Sequence, residues 1–128
     1  GTLLLCHGIA DNDLKKVWPG TEKMPIERSQ LLDQIIHEDK YKYLINGHMH
    51  FRTLMQFETL TLINAGTLRG EHWPGFALLD VETEEITAFE FCDNAIKIVK
   101  KHKMCRASRV TWLNTQSFSG DWDPVRLF

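Results

Sequence analysis

Two histidines, His48 and His50, are the residues whose type and spacing point most directly to chemistry. They follow Gly47 in the run Gly47-His48-Met49-His50. On an extended backbone, side chains at positions i and i+2 point the same way and lie about 6 to 7 Å apart. This spacing suits two imidazoles that serve one metal ion, or one imidazole for each of two ions about 3.5 to 4 Å apart. A pair of surface or hydrogen-bonding histidines would have the same pattern, because histidine serves in both roles.

A third histidine, His7, also follows an apolar run. Residues 2–6 are predicted to form a strand that is buried on both faces, has neighbours on both sides and ends at His7-Gly8. Parallel strands bring their carboxyl ends to one sheet edge, where the ligand sites of open α/β sheets collect. A histidine that only ends a strand is the alternative interpretation of His7 on its own.

The segment between these histidines predicts a helix and a second strand. Apolar residues at Leu31, Leu32, Ile35 and Ile36 have the spacing of one helix face, and Pro25 suits the first turn, so residues 25–37 are predicted to be helical. Residues 41–45 then predict a strand that ends just before His48. A strand, a helix and a strand make a βαβ unit with parallel strands, which would bring His7 to His48 and His50.

Four further β-type runs follow, and polar residues separate them. They cover residues 53–57, 59–63, 76–81 and 86–91. Runs of this length predict antiparallel hairpins, so the chain as a whole predicts an α/β, α+β layered fold with a mixed sheet and a flanking helix. Residues 95–103 fit either a strand or a short helix. We therefore describe residues 1–128 as one domain with a poorly defined tail over 95–128.

The three elements His7-Gly8, Gly47-His48-Met49-His50 and Asn64-Ala65-Gly66-Thr67 together resemble the carboxyl-terminal half of a calcineurin-like metallophosphoesterase, over roughly residues 2–92. The resemblance implies half of a β-sandwich with helices outside. It implies that His7 and His48 bind one metal of a dinuclear centre and that His50 binds the other, the two divalent ions being manganese, iron or zinc. It also implies that residues 64–67 form a turn behind the site, with Gly66 in a conformation closed to other residues.

The family's earlier motifs, DxH, GDxxD and GNH(D/E), are absent from this chain. Two close divalent ions need several carboxylate oxygens, one of them bridging, and three neutral imidazoles do not supply these. The sequence, which begins without Met and enters a strand at once, therefore predicts that an amino-terminal half or a partner chain supplies the rest. A non-catalytic relative and a single zinc ion on His7, His48 and His50 are the two alternatives.

Composition excludes several other functions. The chain has 128 residues, 43% of them hydrophobic, and a formal net charge of −2. This balance excludes a generally basic nucleic-acid binder and a disordered acidic tail, and the basic stretch 97–109 is interpreted as a solvated face, not a nucleic-acid site. No apolar run approaches the roughly 18 residues of a membrane span. Three separated cysteines predict a reducing, cytoplasmic setting: Cys6, Cys92 and Cys105.

The leading hypothesis is therefore a metal-dependent phosphoesterase, which hydrolyses a phosphomonoester or a phosphodiester with a metal-activated water. The alternative is a non-catalytic binding or scaffold module of the same fold. Half of a sandwich would expose an apolar sheet face, so we also expect a partner chain or a homo-oligomer. The sequence assigns no catalytic or substrate-binding residue.

Overall fold

A computed structural model of the chain describes residues 2–10, 30–48, 50, 52–57, 59–72, 74–104 and, for the backbone alone, 125–126. These residues form one α-helix, eight strands and a short 3-10 helix. In chain order they are β1 (Leu3–Leu5), α1 (Gln30–His37), β2 (Tyr43–Asn46), β3 (Arg52–Gln56), β4 (Thr61–Ala65), the 3-10 helix (Gly70–His72), β5 (Gly75–Asp80), β6 (Glu85–Cys92), β7 (Ala95–Lys103) and β8 (Val125–Arg126).

The first sheet has five strands in the order β1-β2-β4-β3-β8. β1, β2 and β4 are parallel, with Leu3 opposite Tyr43 and Asn46 opposite Asn64. β3 runs antiparallel to β4, and β8 runs antiparallel to β3. The predicted βαβ unit is therefore present, and the carboxyl ends of β1, β2 and β4 share one edge of the sheet.

The second sheet is a meander of three antiparallel strands in the order β5-β6-β7. A turn over residues 81–84 joins β5 to β6, and a second turn at Asp93 and Asn94 joins β6 to β7. Glu84 and Asp93 in these turns have positive φ angles. Of the two alternatives for residues 95–103, the structure has the strand.

The elements stack as three layers: helix, mixed sheet and meander. Alternate residues of the central strands point to opposite faces, so Leu44 and Leu62 pack under α1 beside Ile35 and Ile36. Their neighbours Tyr43 and Ile63 pack against Ile86 and Ala88 of β6. Each such apolar side chain contributes about 1.5 to 3 kcal/mol when it is fully buried. The predicted α+β layered fold is confirmed.

One prediction about β1 is wrong. We expected this strand to be buried on both faces, but it is the end strand of the described sheet, and Leu3 and Leu5 are 41% and 73% exposed. An apolar run indicates a strand but does not fix its place in the sheet order, and this place decides how much of the strand is covered.

Part of the predicted structure lies outside the described residues. These parts are the expected start of the helix at Pro25, whose described turns begin at Gln30, and residues 105–124 and 127–128 of the tail. No helix within the described ranges has the length and apolar character that a membrane crossing requires.

Candidate functional site

A chain of buried amide hydrogen bonds ties together the strand ends at the shared edge of the first sheet. Asn64 Nδ2 donates to Asn46 Oδ1 at 2.8 Å, and Asn46 Nδ2 donates to the Gly8 carbonyl at 3.1 Å. The Gly66 N–H in turn donates to Asn64 Oδ1 at 3.1 Å. Asn46 and Asn64 are 3% and 1% exposed, so these bonds satisfy groups that water does not reach.

This network fixes the backbone on either side of His7 and His48. The Gly47 N–H donates to the His7 carbonyl at 3.2 Å, directly beside the bond from Asn46 to Gly8. The residues that follow β1 and β2 are therefore attached to each other through both backbone and side chain. The backbone positions from which the two imidazoles extend are thus held next to each other.

His7 and His48 form a pair of imidazoles at this edge. His48 Nδ1 lies 3.3 Å from His7 Nε2, and the ring centroids are 5.2 Å apart in an edge-to-face arrangement. His48 is half-buried and His7 is exposed, so the pair lies at the surface with one nitrogen of each ring at hydrogen-bond distance from the other. One proton shared between them, or one cation bound by both, would suit this arrangement.

His50 lies in a second pair, and its partner is a residue that the sequence did not single out. The ring of His50 packs against the ring of His72, with centroids 5.0 Å apart and an interplanar angle of 62°. His72 ends the 3-10 helix between β4 and β5, and both rings are half-buried. The structure thus places His7 with His48 and His50 with His72.

Arg52 is the first residue of β3 and lies two residues after His50 in the chain. Its side chain is 2% exposed. A methyl group added at Gly66 would lie 2.6 Å from Arg52 Cγ, and one added at Gly75 would collide with the Arg52 guanidinium. Burial lowers the pKa of Arg52, and the nearby carboxylate of Glu90 opposes this shift. Arg52 therefore fills the space between the two sheets, against both ends of the segment that presents His72.

The described residues do not by themselves complete a metal site. Among them, no group of three or more His, Cys, Asp or Glu side chains is close enough to hold one ion. The predicted ligand set of His7, His48 and His50 is thus divided between two imidazole pairs. The single zinc ion on three histidines would need these side chains to converge, and the described geometry is that of two pairs.

Sequence reasoning missed three residues that shape this edge: Asn46, Arg52 and His72. Asn46 had a signal, because a polar residue that ends a buried strand needs a hydrogen-bond partner. Arg52 and His72 had no such signal in the sequence, because Arg52 packs at Gly66 and Gly75 and His72 packs on His50, and these contacts join separate segments of the chain. The expected conformation of Gly66 is present, with a φ of 82°.

Comparison with known proteins adds no identification to this geometry. No protein-family model matches the chain, and a search of curated proteins also gave no match. The chain is a layered α+β domain with a pair of histidines, His7 and His48, at the carboxyl ends of two parallel strands of the first sheet.

Proposed function

We propose that this chain supplies part of the dinuclear metal centre of a metal-dependent phosphoesterase of the calcineurin-like class. The observation that carries the proposal is the separation of 3.3 Å between His48 Nδ1 and His7 Nε2 at the carboxyl ends of β2 and β1. Two nitrogens that bind one tetrahedral ion at about 2.0 to 2.1 Å lie about 3.3 to 3.4 Å from each other. The two imidazoles thus have the spacing that a shared ion requires.

In this proposal, each residue has a limited role. His7 and His48 hold one divalent ion, and His50 belongs to the other, while the amides of Asn46 and Asn64 keep the strand ends in place. Manganese, iron or zinc ions at such a site would polarise a phosphate ester and lower the pKa of a bound water. The substrate class is therefore a phosphomonoester or a phosphodiester.

The remaining oxygen ligands must come from outside the described residues. We assign them to an amino-terminal half or to a partner chain. Leu3 and Leu5 on the end strand β1 support this assignment, because exposed leucines beside the His7 edge favour a covering element there. Cys6 and Cys92 form no disulfide among the described residues, which is compatible with the reducing cytoplasm that we propose as the compartment.

Elemental analysis of the purified chain tests the proposal. We expect bound manganese, iron or zinc in the parent chain and loss of that metal when His48 and His50 are both changed to Ala. His37→Ala is the matched control, because His37 lies on α1 and bonds the Asp33 carbonyl of its own helix. Assays with a model phosphomonoester and phosphodiester follow on any preparation that retains metal. The paired imidazoles should hold an added ion even without the missing oxygen ligands. Metal content indifferent to the double substitution, or no uptake of added Zn²⁺ by the parent, would therefore contradict the proposal.

A second candidate function, a non-catalytic binding module, rests on the outer face of the meander. Cross-strand pairing places six apolar side chains on this face. Phe76 stacks on Phe89 with centroids 4.7 Å apart, and Leu78 and Ile98 are 61% and 58% exposed. The outer apolar face consists of Phe76, Leu78, Phe89, Phe91, Ile96 and Ile98. A contiguous apolar patch of this kind marks an interaction surface.

The partner that best suits this face is a second copy of the chain. Acidic residues in the 81–84 turn and at the strand ends beside it lie at the rim of the same sheet as the lysines of β7, so two copies related by a two-fold axis could oppose unlike charges. Sedimentation velocity over a range of concentrations measures the association. We expect Ile98→Glu to abolish it and Leu68→Glu, an exposed site outside this face, to leave it unchanged. A parent chain that stays monomeric would refute this candidate.

A further inference from the structure

His72 takes part in a geometry that repeats the His7–His48 pair. The ring centroids of His50 and His72 are 5.0 Å apart, and those of His7 and His48 are 5.2 Å apart. Imidazoles that share one tetrahedral ion at about 2.0 to 2.1 Å have centroids about 5 Å apart. The centroid separation of both pairs is thus compatible with two imidazoles on one ion, and in the His7–His48 pair the nearest nitrogens are also 3.3 Å apart.

The segment that carries His72 is built to hold it in one place. The Gly75 N–H donates to the Thr67 carbonyl at 3.1 Å and closes the segment into a loop, and the His72 N–H donates to the Arg69 carbonyl at 3.0 Å. Arg52, the first residue of β3 after the His50 loop, packs against the backbone at both Gly66 and Gly75. One buried side chain, two residues after His50 in the chain, thus packs against both ends of the segment that carries His72.

We propose that His72 is a metal ligand, so that this edge carries two sites with two imidazoles each: His7 with His48, and His50 with His72. The proposal rests on the proposed function for the first pair and extends it with a ligand for the second ion. Arg52 is a positioning residue, because it acts on His72 through the loop and not by contact with the ion.

The ligand set determines which metals fit. Imidazole nitrogen suits zinc, iron, copper and nickel, whereas magnesium and calcium prefer all-oxygen sites. Two imidazoles on each ion leave the other positions for water and for carboxylate oxygens from the completing half. Of the manganese, iron and zinc named above, zinc and iron therefore suit both sites best, and magnesium and calcium should not bind there.

A titration of the full 128-residue chain with Co²⁺ tests the assignment, because the visible absorption of Co²⁺ changes when protein ligands replace water around the ion. The key variant is His72→Phe, which keeps a ring packed on His50 but has no ligand nitrogen. We expect two Co²⁺ ions on the parent and one on His72→Phe, with the affinity of the lost site at least tenfold weaker. His48→Ala should lose the other ion, and His37→Ala should behave as the parent.

The outcomes separate the two proposals. If His48→Ala removes an ion but His72→Phe binds Co²⁺ like the parent, the ring contact of His50 and His72 is aromatic packing alone, and only the inference about His72 is overturned. If the parent binds no Co²⁺, or binds it equally in His48→Ala, both proposals fail. Recovery of the second Co²⁺ ion in His72→Asp, which restores a ligand atom but no ring, would support the metal role of His72. Thermal unfolding of each variant checks that the variant is folded.

Discussion

Asn46 and Asn64 lie directly opposite each other on the parallel strands β2 and β4, and their buried amides are joined by a hydrogen bond of 2.8 Å. This pair links three parts of the fold, because Asn46 also bonds the Gly8 carbonyl and Asn64 also accepts the Gly66 N–H. The candidate site thus depends on a polar connection inside the sheet and not only on the histidines at its surface.

The first prediction concerns this amide pair. Asn64→Ala should lower the free energy of unfolding by about 1 to 3 kcal/mol, because it leaves the buried Asn46 Oδ1 and the half-buried Gly66 N–H without their partner. Urea denaturation measures the change. In a double-mutant cycle, Asn46→Ala and Asn64→Ala should be non-additive, since the two residues share one bond. Additive costs would show that the bond between them contributes nothing.

The second prediction concerns Gly66. Its φ of 82° disfavours other residues, and an added methyl group would lie 2.6 Å from Arg52 Cγ. Gly66→Ala should therefore cost about 2 kcal/mol or more of the free energy of unfolding. Gly70→Ala is the control, because nothing lies within 4 Å of a methyl group there, and it should change stability by less than about 0.5 kcal/mol. Equal effects of the two substitutions would be inconsistent with the packing of Arg52 described above.

The third prediction is a pH dependence that arises from His102. The Nε2 atom of His102 is buried and has no hydrogen-bond partner among the described residues. Burial lowers the pKa of His102 below its usual 6.5, and the charge of Lys100 lowers it further. Because the unfolded chain binds this proton more readily, protonation favours unfolding. Stability is therefore complete above pH 6.5 and falls as the pH drops towards the lower pKa of the folded state.

Urea midpoints at pH 7.5 and 5.0 measure this effect. We expect His102→Gln to lose less stability on acidification than the parent chain does. His37→Gln is a control on an exposed histidine and should retain the full dependence. If the parent and His102→Gln respond identically to pH, then burial of His102 does not govern the acid response.

The fourth prediction links the proposed metal site to stability. An ion that binds only the folded chain raises the free energy of unfolding by about 2.7 kcal/mol at a concentration 100 times its Kd. Zn²⁺ should therefore raise the melting temperature of the parent, and EDTA should reverse the increase. His7→Ala should reduce the increase, because His7 and His48 are paired through their nitrogens. An equal increase in the His7→Ala variant would place the ion elsewhere.

The sequence was sufficient for the layered fold, because local patterns define its elements. The spacing of Leu32, Ile35 and Ile36 predicts α1, and these three residues are buried. The parallel pairing of β1 and β2 follows from the helix between them, and it explains why His7 was expected beside His48. Exposure of β1 was not predictable in this way, since the order of strands depends on contacts between distant segments.

The pair of His50 and His72 is a second feature that depends on contacts between distant segments and could not be predicted from local sequence patterns. His72 stands in a stretch without hydrophobic periodicity, between Gly70 and Gly75, where sequence patterns indicate only a loop. Arg52 packs against both ends of the segment that carries His72, and an arginine at the start of an apolar strand is ordinarily expected on the surface. A buried arginine packed on two glycines becomes visible only when the two sheets are brought together.

The topology also has a consequence for the order in which the chain folds. In the meander, Asp80 pairs with Glu85 across a single turn, whereas in the first sheet Leu3 pairs with Tyr43 across the whole βαβ crossover. Closing a long loop costs more chain entropy before any contact compensates for it, so nonlocal strand pairs form slowly. In pulsed hydrogen exchange, amides of β6 should be protected before those of β2. The histidine edge, which needs β1 beside β2, would then be among the last parts of the molecule to assemble.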